Sequence, residues 1–323
     1  MAEATRVAFG RALARLGATD GRIVVLDADL ASSTNTKAFA DKYPERFFQL
    51  GIAEGNMVGV AAGLALAGKI PFAASFACFL AGRFEQIRVS VAYNRANVRL
   101  VGTHAGVGIG EDGYSQMGLE DIALMRSLPD MLVLQPADAV ETEAAVEYLI
   151  RHEGPAYLRL TRQKVADVSP AGYRFECGKA VVLREGRDLA IAASGAVVGH
   201  ALAAAERLAG EGVQAAVLNV HTLKPLDAAS LAEWGGRAGA LLTVEDHGIV
   251  GGLGSAACEA LSETGIPIRR HAVLEFGESG SGEALYAKHG LDAPGIVAAA
   301  RRFLEDARGA RGPRQAARSG RTG

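Results

Sequence analysis

An α/β fold, with a doubly wound parallel-sheet domain followed by a smaller α/β domain, is predicted by three features of the sequence. Short β-branched runs alternate with amphipathic or small-residue helical segments along most of the chain. The runs are nearly continuous in apolar character, as expected of parallel strands covered by helices on both faces. The 323 residues are 49% hydrophobic with 40 glycines and only 6% aromatic side chains, so helices can lie close on a sheet.

The elements follow in order. In the first unit, residues 1–162, the predicted strands are Arg22–Asp27, Pro71–Ser75, Asn97–Thr103, Met131–Leu134 and Ala156–Leu160, with helices between them. Residues 163–187 break the rhythm with Pro170, Gly172, Gly178 and Gly186 among mixed charges, and read as a linker. The second unit, residues 188–306, begins with a strand at Asp188–Ala193, a helix at His200–Gly210 and a strand at Gln214–Val220. A helix near Ala228–Trp234, a strand at Ala240–Glu245, a helix from Gly252, a strand at Pro267–Val273 and a helix at Pro294–Asp306 complete it. The basic tail 307–323 has no periodicity and is expected to be disordered.

Bulk composition excludes some functions. A formal net charge of −2 gives no reason to expect a nucleic-acid or membrane partner. Cys78, Cys177 and Cys258 are widely separated and lack metal-ligand spacing, which suits reduced thiols and a cytoplasmic location. The first ten residues lack a signal-peptide layout, so secretion is not expected. The uncharged apolar stretch 57–68 is shorter than the roughly 20 residues of a membrane span and reads as a buried helix.

In a doubly wound sheet the informative places are the loops after the strands. Glu54 is the only formally charged residue between Phe47 and Gly68. A carboxylate there must be paired, protonated or given a ligand, because an isolated buried charge is costly. Other polar loops hold Asp27-Ala-Asp29 with Ser33, Phe76 with Phe79 after Ser75, and His104 followed by Gly110-Glu-Asp112-Gly113. Singly, each has a structural reading. Asp29 and Ser33 suit helix caps, Phe76 and Phe79 suit a core, the Gly-Glu-Asp-Gly tetrapeptide suits a turn, and Glu54 suits a helix N-terminus.

Taken together, their order resembles the thiamine diphosphate-dependent transketolase family over nearly the whole chain. Seven colinear segments carry the resemblance. They are Arg6, Asp27-Ala-Asp29-Leu with Ser33, Gly51-Ile-Ala-Glu54, Phe76 with Phe79, Thr103-His104 with Gly110-Glu-Asp112-Gly113, Leu160-Thr-Arg162-Gln, and Val244-Glu-Asp-His247 with Gly251-Gly-Leu-Gly254. The resemblance implies a pyrimidine-binding domain followed by a transketolase C-terminal domain.

It also implies roles. The Glu54 carboxylate would hydrogen-bond a ring nitrogen of the cofactor's aminopyrimidine, and so help the exocyclic nitrogen remove the thiazolium proton. Phe76 and Phe79 would line the pyrimidine pocket, where flat rings suit a flat heterocycle, with Asp29 beside them in the cofactor set. Arg6, Ser33, His104 and Arg162 would receive a sugar phosphate, arginine offering a planar, permanently charged fork. Asp112 would read a substrate hydroxyl.

Two departures stand out. The third residue after Gly110-Glu-Asp-Gly113 is Gln116 where the family pattern has histidine, and glutamine hydrogen-bonds without shuttling a proton near neutral pH. The Gly-Asp-Gly motif that holds magnesium and the diphosphate in full-length members occurs nowhere in the chain. The chain therefore resembles the C-terminal subunit of a split transketolase. The resemblance implies an N-terminal partner subunit carrying the Mg2+ and diphosphate site, an α2β2 assembly, and ketol transfer between sugar phosphates. Alternatives are the β subunit of a 2-oxo acid dehydrogenase, a deoxyxylulose-phosphate synthase relative, or a non-catalytic homologue. His221 and His247 read as structural, and His152, His200, His271 and His289 show no metal spacing.

Overall fold

The structure is a computed structural model that describes the backbone of residues 2–319 and the side chains of residues 2–307. The chain opens with β1 (Glu3–Ala4), α1 (Thr5–Leu16), β2 (Ile23–Asp27), the short α2 (Ala31–Thr34) and α3 (Lys37–Ala40), and β3 (Phe47–Gln49). Next come α4 (Glu54–Leu66), β4 (Ile70–Phe76), α5 (Ala77–Ala81), α6 (Phe84–Gln86) and a π-helical turn over Ile87–Ala92. After β5 (Arg99–Thr103), 3-10 turns cover Val107–Asp112 and Tyr114–Gln116, followed by α7 (Asp121–Ser127), β6 (Leu132–Leu134), α8 (Ala139–Arg151) and β7 (Ala156–Arg159).

The remaining strands are β8 (Lys164–Val165), β9 (Val181–Arg184), β10 (Leu189–Ala193), β11 (Ala215–Asn219), β12 (Thr222–Lys224), β13 (Leu241–Gly248) and β14 (Ile268–Val273). Between and after them lie α9 (Val198–Gly210), α10 (Ala228–Ala238), α11 (Leu253–Ala260), α12 (Gly282–Lys288) and α13 (Ala293–Ser319).

A seven-stranded sheet runs β12-β6-β7-β5-β4-β2-β3, and all its pairings are parallel except β12 with β6. Every residue of β2, β4 and β5 is buried, as their nearly continuous apolar character predicts, and the burial extends to the polar Asp27, Ser75, Arg99 and Thr103. The second sheet runs β14-β13-β10-β11-β9, parallel apart from β9 at its edge.

The stretch read as a linker, 163–187, holds two strands. β8 pairs with β1, and β9 adds antiparallel to β11. Runs of two and four residues are too short to show a period, and the flanking glycines masked them. The residues read as a disordered tail are also partly structured. Helix α13 carries on to Ser319 through a segment rich in alanine and arginine, both strong helix formers, and positions 320–323 lie outside the described residues.

One strand crosses between the units. β12 follows β11 in the chain but hydrogen-bonds to β6, with Thr222 opposite Leu134 and Lys224 opposite Val133. Lys224 Nζ ties the same joint by donating to the carbonyls of Arg126, at 2.9 Å, and Leu128.

Candidate active site

The parallel strands β2, β4, β5 and β7 end at one edge of the sheet. Their register sets Asp27 beside Ala74, Phe76 beside Thr103 and Gly102 beside Arg159. The loops that follow these strands carry most of the residues singled out above.

Glu54 is the first residue of α4 and is only 5% exposed. Ser75 Oγ on β4 donates to its Oε1 at 3.3 Å, and Oε2 has no protein hydrogen-bond partner among the described residues. A buried carboxylate with one weak donor is under-satisfied, and its free oxygen is where a ligand's donor would be accepted.

The next residue after Ser75 extends the site. The Phe76 ring stacks on His104 with centroids 3.8 Å apart and on Phe79 at 5.4 Å, the two phenyl planes nearly parallel at 6°. Phe76 is thus the buried middle of a three-ring stack, and half-buried Phe79 is its outer face.

His104 sits in the left-handed backbone region (φ 57°) and is buried. Its Nδ1 lies 2.9 Å from Thr103 Oγ1, whose hydroxyl reaches the Ser75 carbonyl at 3.3 Å. With the hydroxyl donated to Ser75, Nδ1 carries the ring proton and Nε2 accepts; turned onto Nδ1, the hydroxyl makes Nε2 a donor. Burial, then Arg6 and Arg162, push the His104 pKa down to about 3, so the ring is neutral near pH 7.

Two arginines stand beside His104, close enough to lower its pKa. Arg6 donates to the Ser33 carbonyl and, at 3.4 Å, to the Arg162 carbonyl. Arg162 Nη1 donates to Ile109 O and to Glu111 Oε2, both at 2.8 Å. Burial, followed by Arg162, lowers the Arg6 pKa, while Asp112 acts the other way. It is the Ser33 carbonyl, not its hydroxyl, that Arg6 holds.

The 107–116 loop is fastened from both units. Arg159 Nη2 and Gly106 N both donate to Gly118 O, at 2.8 and 3.0 Å, closing its base. From the second unit, Asp246 Oδ1 accepts Val107 N at 2.8 Å, and Oδ2 accepts Tyr286 OH at 2.8 Å. A Cβ on Gly106 would stand 2.1 Å from Asp246 Oδ2, so this contact requires glycine there. Asp112 and half-buried Gln116 lie on this loop, and Asp112 is exposed. The Gln116 side chain has no hydrogen bond among the described residues.

Asp29 stands apart. It is exposed, in a left-handed conformation (φ 66°), and no hydrogen bond joins it to Glu54, Phe76 or Phe79. Its N–H donates to Gln49 Oε1 at 2.7 Å, and the same oxygen accepts Gly51 N at 3.2 Å, linking the loops after β2 and β3. Beneath it, buried Asp27 accepts Leu30 N, Thr34 Oγ1 and Thr36 Oγ1 at 2.6, 2.8 and 2.9 Å. Sequence reasoning assigned no role to Ser75, Gln49, Thr103, Asp246 or Tyr286. Asp246 stands within the quoted Val244–His247 segment, but its neighbours are distant in sequence.

Family comparison agrees with this geometry. Residues 2–167 match the model "Transketolase, pyrimidine binding domain", and residues 178–296 match "Transketolase, C-terminal domain". The chain belongs to the transketolase family. It is 44% identical to a 6-deoxy-6-sulfo-D-fructose transketolase subunit of a Clostridium strain, over 88% of this chain and 90% of that one. It is 41% identical to the putative transketolase C-terminal section of Methanocaldococcus jannaschii, over 93% and 95% of the two chains. Against human transketolase the identity is 40% over 94% of this chain, but only 49% of the human protein is spanned. A solved split-gene transketolase, an inactive beta4 tetramer, superposes with a TM-score of 0.87 at 47% identity, covering 94% of this chain and 98% of the other.

The residues present fit the pyrimidine end of the family's cofactor: a free Glu54 oxygen near a stacked aromatic wall. Among the described residues no group of three or more His, Cys, Asp or Glu side chains could hold a metal ion. Nor, among them, is any helix long and apolar enough to cross a membrane.

Proposed function

We propose that this chain is the C-terminal subunit of a two-chain transketolase that moves a two-carbon ketol unit from a ketose phosphate to an aldose phosphate. The observation that carries the reading is the Ser75–Phe76 step on β4. Ser75 donates to Glu54, and Phe76 stacks on His104, so a carboxylate suited to a pyrimidine and a cluster suited to an anion flank one dipeptide.

When bound, thiamine diphosphate supplies the electron sink for carbon–carbon bond cleavage and formation. Glu54 would hold the pyrimidine end and share a proton with it, and the Phe76–Phe79 stack would line that pocket. Asp29 is carried into the cofactor set by the family resemblance alone. Arg6 and Arg162 hold the substrate's anionic terminus, with the Ser33 segment closing the site, and His104 donates from Nε2 once the Thr103 hydroxyl turns onto Nδ1. Asp112 and Gln116 read substrate hydroxyls from the 107–116 loop, glutamine doing so without a titratable proton.

The diphosphate and Mg2+ are held by an N-terminal partner subunit, in an α2β2 assembly in the cytoplasm. The face of α4 supports a partner there. Asn56, Gly59, Gly63, Leu66 and Ala67 are exposed along one stripe, and a Cβ at Gly59 or Gly63 would meet nothing within 4 Å. Helix-interior glycine costs about 1 kcal/mol relative to alanine, and no contact among the described residues requires it. Close approach of another chain would account for it.

A second substrate terminus is favoured by one observation. The Clostridium relative is named for a sulfo-ketose, and a tetrahedral sulfonate suits the same arginine pair. Co-purification of this chain with its native partner, followed by a donor and acceptor screen, tests the reading. Ketol transfer is expected from the pair and not from the chain alone. Robust transfer without a partner overturns the two-chain reading, and no transfer by the pair from any phosphate or sulfonate ketose overturns the activity.

A further inference from the structure

Beyond the Arg6–Arg162 cluster the structure holds a cavity of about 540 Å³, lined by both arginines together with Glu3, Arg11 and Lys164. The β1–β8 ribbon builds it, pairing Lys164 with Ala4 two residues before Arg6. The cations around this cavity are not equivalent. Arg11 is occupied by Glu3 at 2.6 Å and by Glu143 at 2.7 Å, and Arg162 by Glu111 at 2.8 Å. Arg6 donates only to carbonyls and has no ion-paired carboxylate among the described residues, exposed Asp112 acting on it without a hydrogen bond. Exposed Lys164 likewise has no ion-pair partner among them.

An anion seated between Arg6 and Arg162 therefore meets two positive charges outside any ion pair, half-buried Arg6 and exposed Lys164. A singly charged terminus is matched by Arg6 alone. A doubly charged one uses Lys164 as well.

We propose that Lys164 is a specificity-determining residue that biases this anion site toward a doubly charged phosphate terminus over a singly charged sulfonate. This rests on the ketol-transfer reading for its biological substrate, but the charge preference can be measured without turnover. Lys164 is exposed, so its contribution is screened by salt and acts on affinity rather than on the chemical step.

The test titrates the full-length chain with methyl phosphate and with methanesulfonate at about pH 8, where the phosphomonoester is a dianion. Binding is followed by NMR of the His104 ring. The wild type is expected to hold methyl phosphate more tightly. Lys164→Met is expected to weaken methyl phosphate by about five-fold at low salt, the scale of one exposed ion pair, and methanesulfonate by less. Lys164→Arg should restore the ratio. Equal affinity of the wild type for both anions, or an unchanged ratio in Lys164→Met, overturns the inference. In the assembled enzyme, Lys164→Met should raise the KM for a ketose phosphate more than for a neutral ketose; an equal rise for both also overturns it. Failure of the assembled wild type to turn over any ketose phosphate would instead count against the proposed activity, leaving the anion titrations to decide the role of Lys164.

Discussion

Thr161 donates its backbone N–H to Thr5 Oγ1 at 2.8 Å, and the two hydroxyls lie 3.1 Å apart. Arg6 and Arg162 are the residues that follow this pair, so the start of α1 and the segment after β7 are clamped where the proposed anion site uses both guanidinium groups. Thr5→Val preserves shape but leaves the buried Thr161 N–H without that acceptor, at a cost of about 1–3 kcal/mol. Chemical denaturation should show this loss, and the KM for a phosphate-bearing donor should rise more than that for a neutral ketose. An unchanged KM would detach the clamp from substrate binding.

Glu54→Gln replaces an oxygen that can exchange a proton with one group that cannot. In the assembled enzyme, turnover should fall by at least about 100-fold, the scale of a lost proton-transfer group. Assembly, read by size-exclusion chromatography, should be unaffected. Retained turnover would take Glu54 out of the chemistry.

The bare stripe on α4 gives a separable test. Gly63→Leu fills open space in this chain, so the isolated subunit should fold with unchanged or slightly raised helix content. Association with the partner subunit should weaken at least about ten-fold in analytical ultracentrifugation, as expected for a large side chain forced into a close helix contact. Undiminished association would place the interface elsewhere.

Glu141 joins α8 to the second unit. Asn219 Nδ2 donates to both of its oxygens at 2.9 Å, and Tyr173 OH donates at 2.7 Å. Burial outweighs these donors and pushes its pKa from 4.5 up to about 7. The folded state thus binds more protons than the unfolded state between these values, and this group's contribution to stability falls as pH rises through that window, levelling off above it. Glu141→Gln removes this loss. Its unfolding free energy relative to wild type should increase from pH 5 to pH 8, the variant gaining relative stability by up to about 3 kcal/mol. A pH-independent difference would show that Glu141 ionises freely in the fold.

The legible parts of this protein were those written in local pattern. The apolar runs gave strands β2, β4, β5 and β7 because burial on both faces leaves few polar positions, such as Arg99 and Arg159 at strand ends. Glu54 was legible because it is one charge in an uncharged stretch. Asp246 illustrates what was not: its carboxylate supports a loop some 140 residues earlier, at Val107, and no local pattern encodes such a contact. The same holds for Ser75, an ordinary strand serine until β4 and α4 are brought together. β12 was missed because three residues are too few for a period and their partner strand lies in the other unit.

That displaced strand carries a consequence for handling the molecule. A fragment ending at residue 187 would retain β6 but lose β12, leaving an unpaired row of backbone groups beside Leu132–Leu134. Exposed strand edges of this kind template pairing between molecules. The pyrimidine-binding half expressed alone would therefore be prone to self-association through an edge that the intact chain keeps capped with its own Thr222–Lys224 segment.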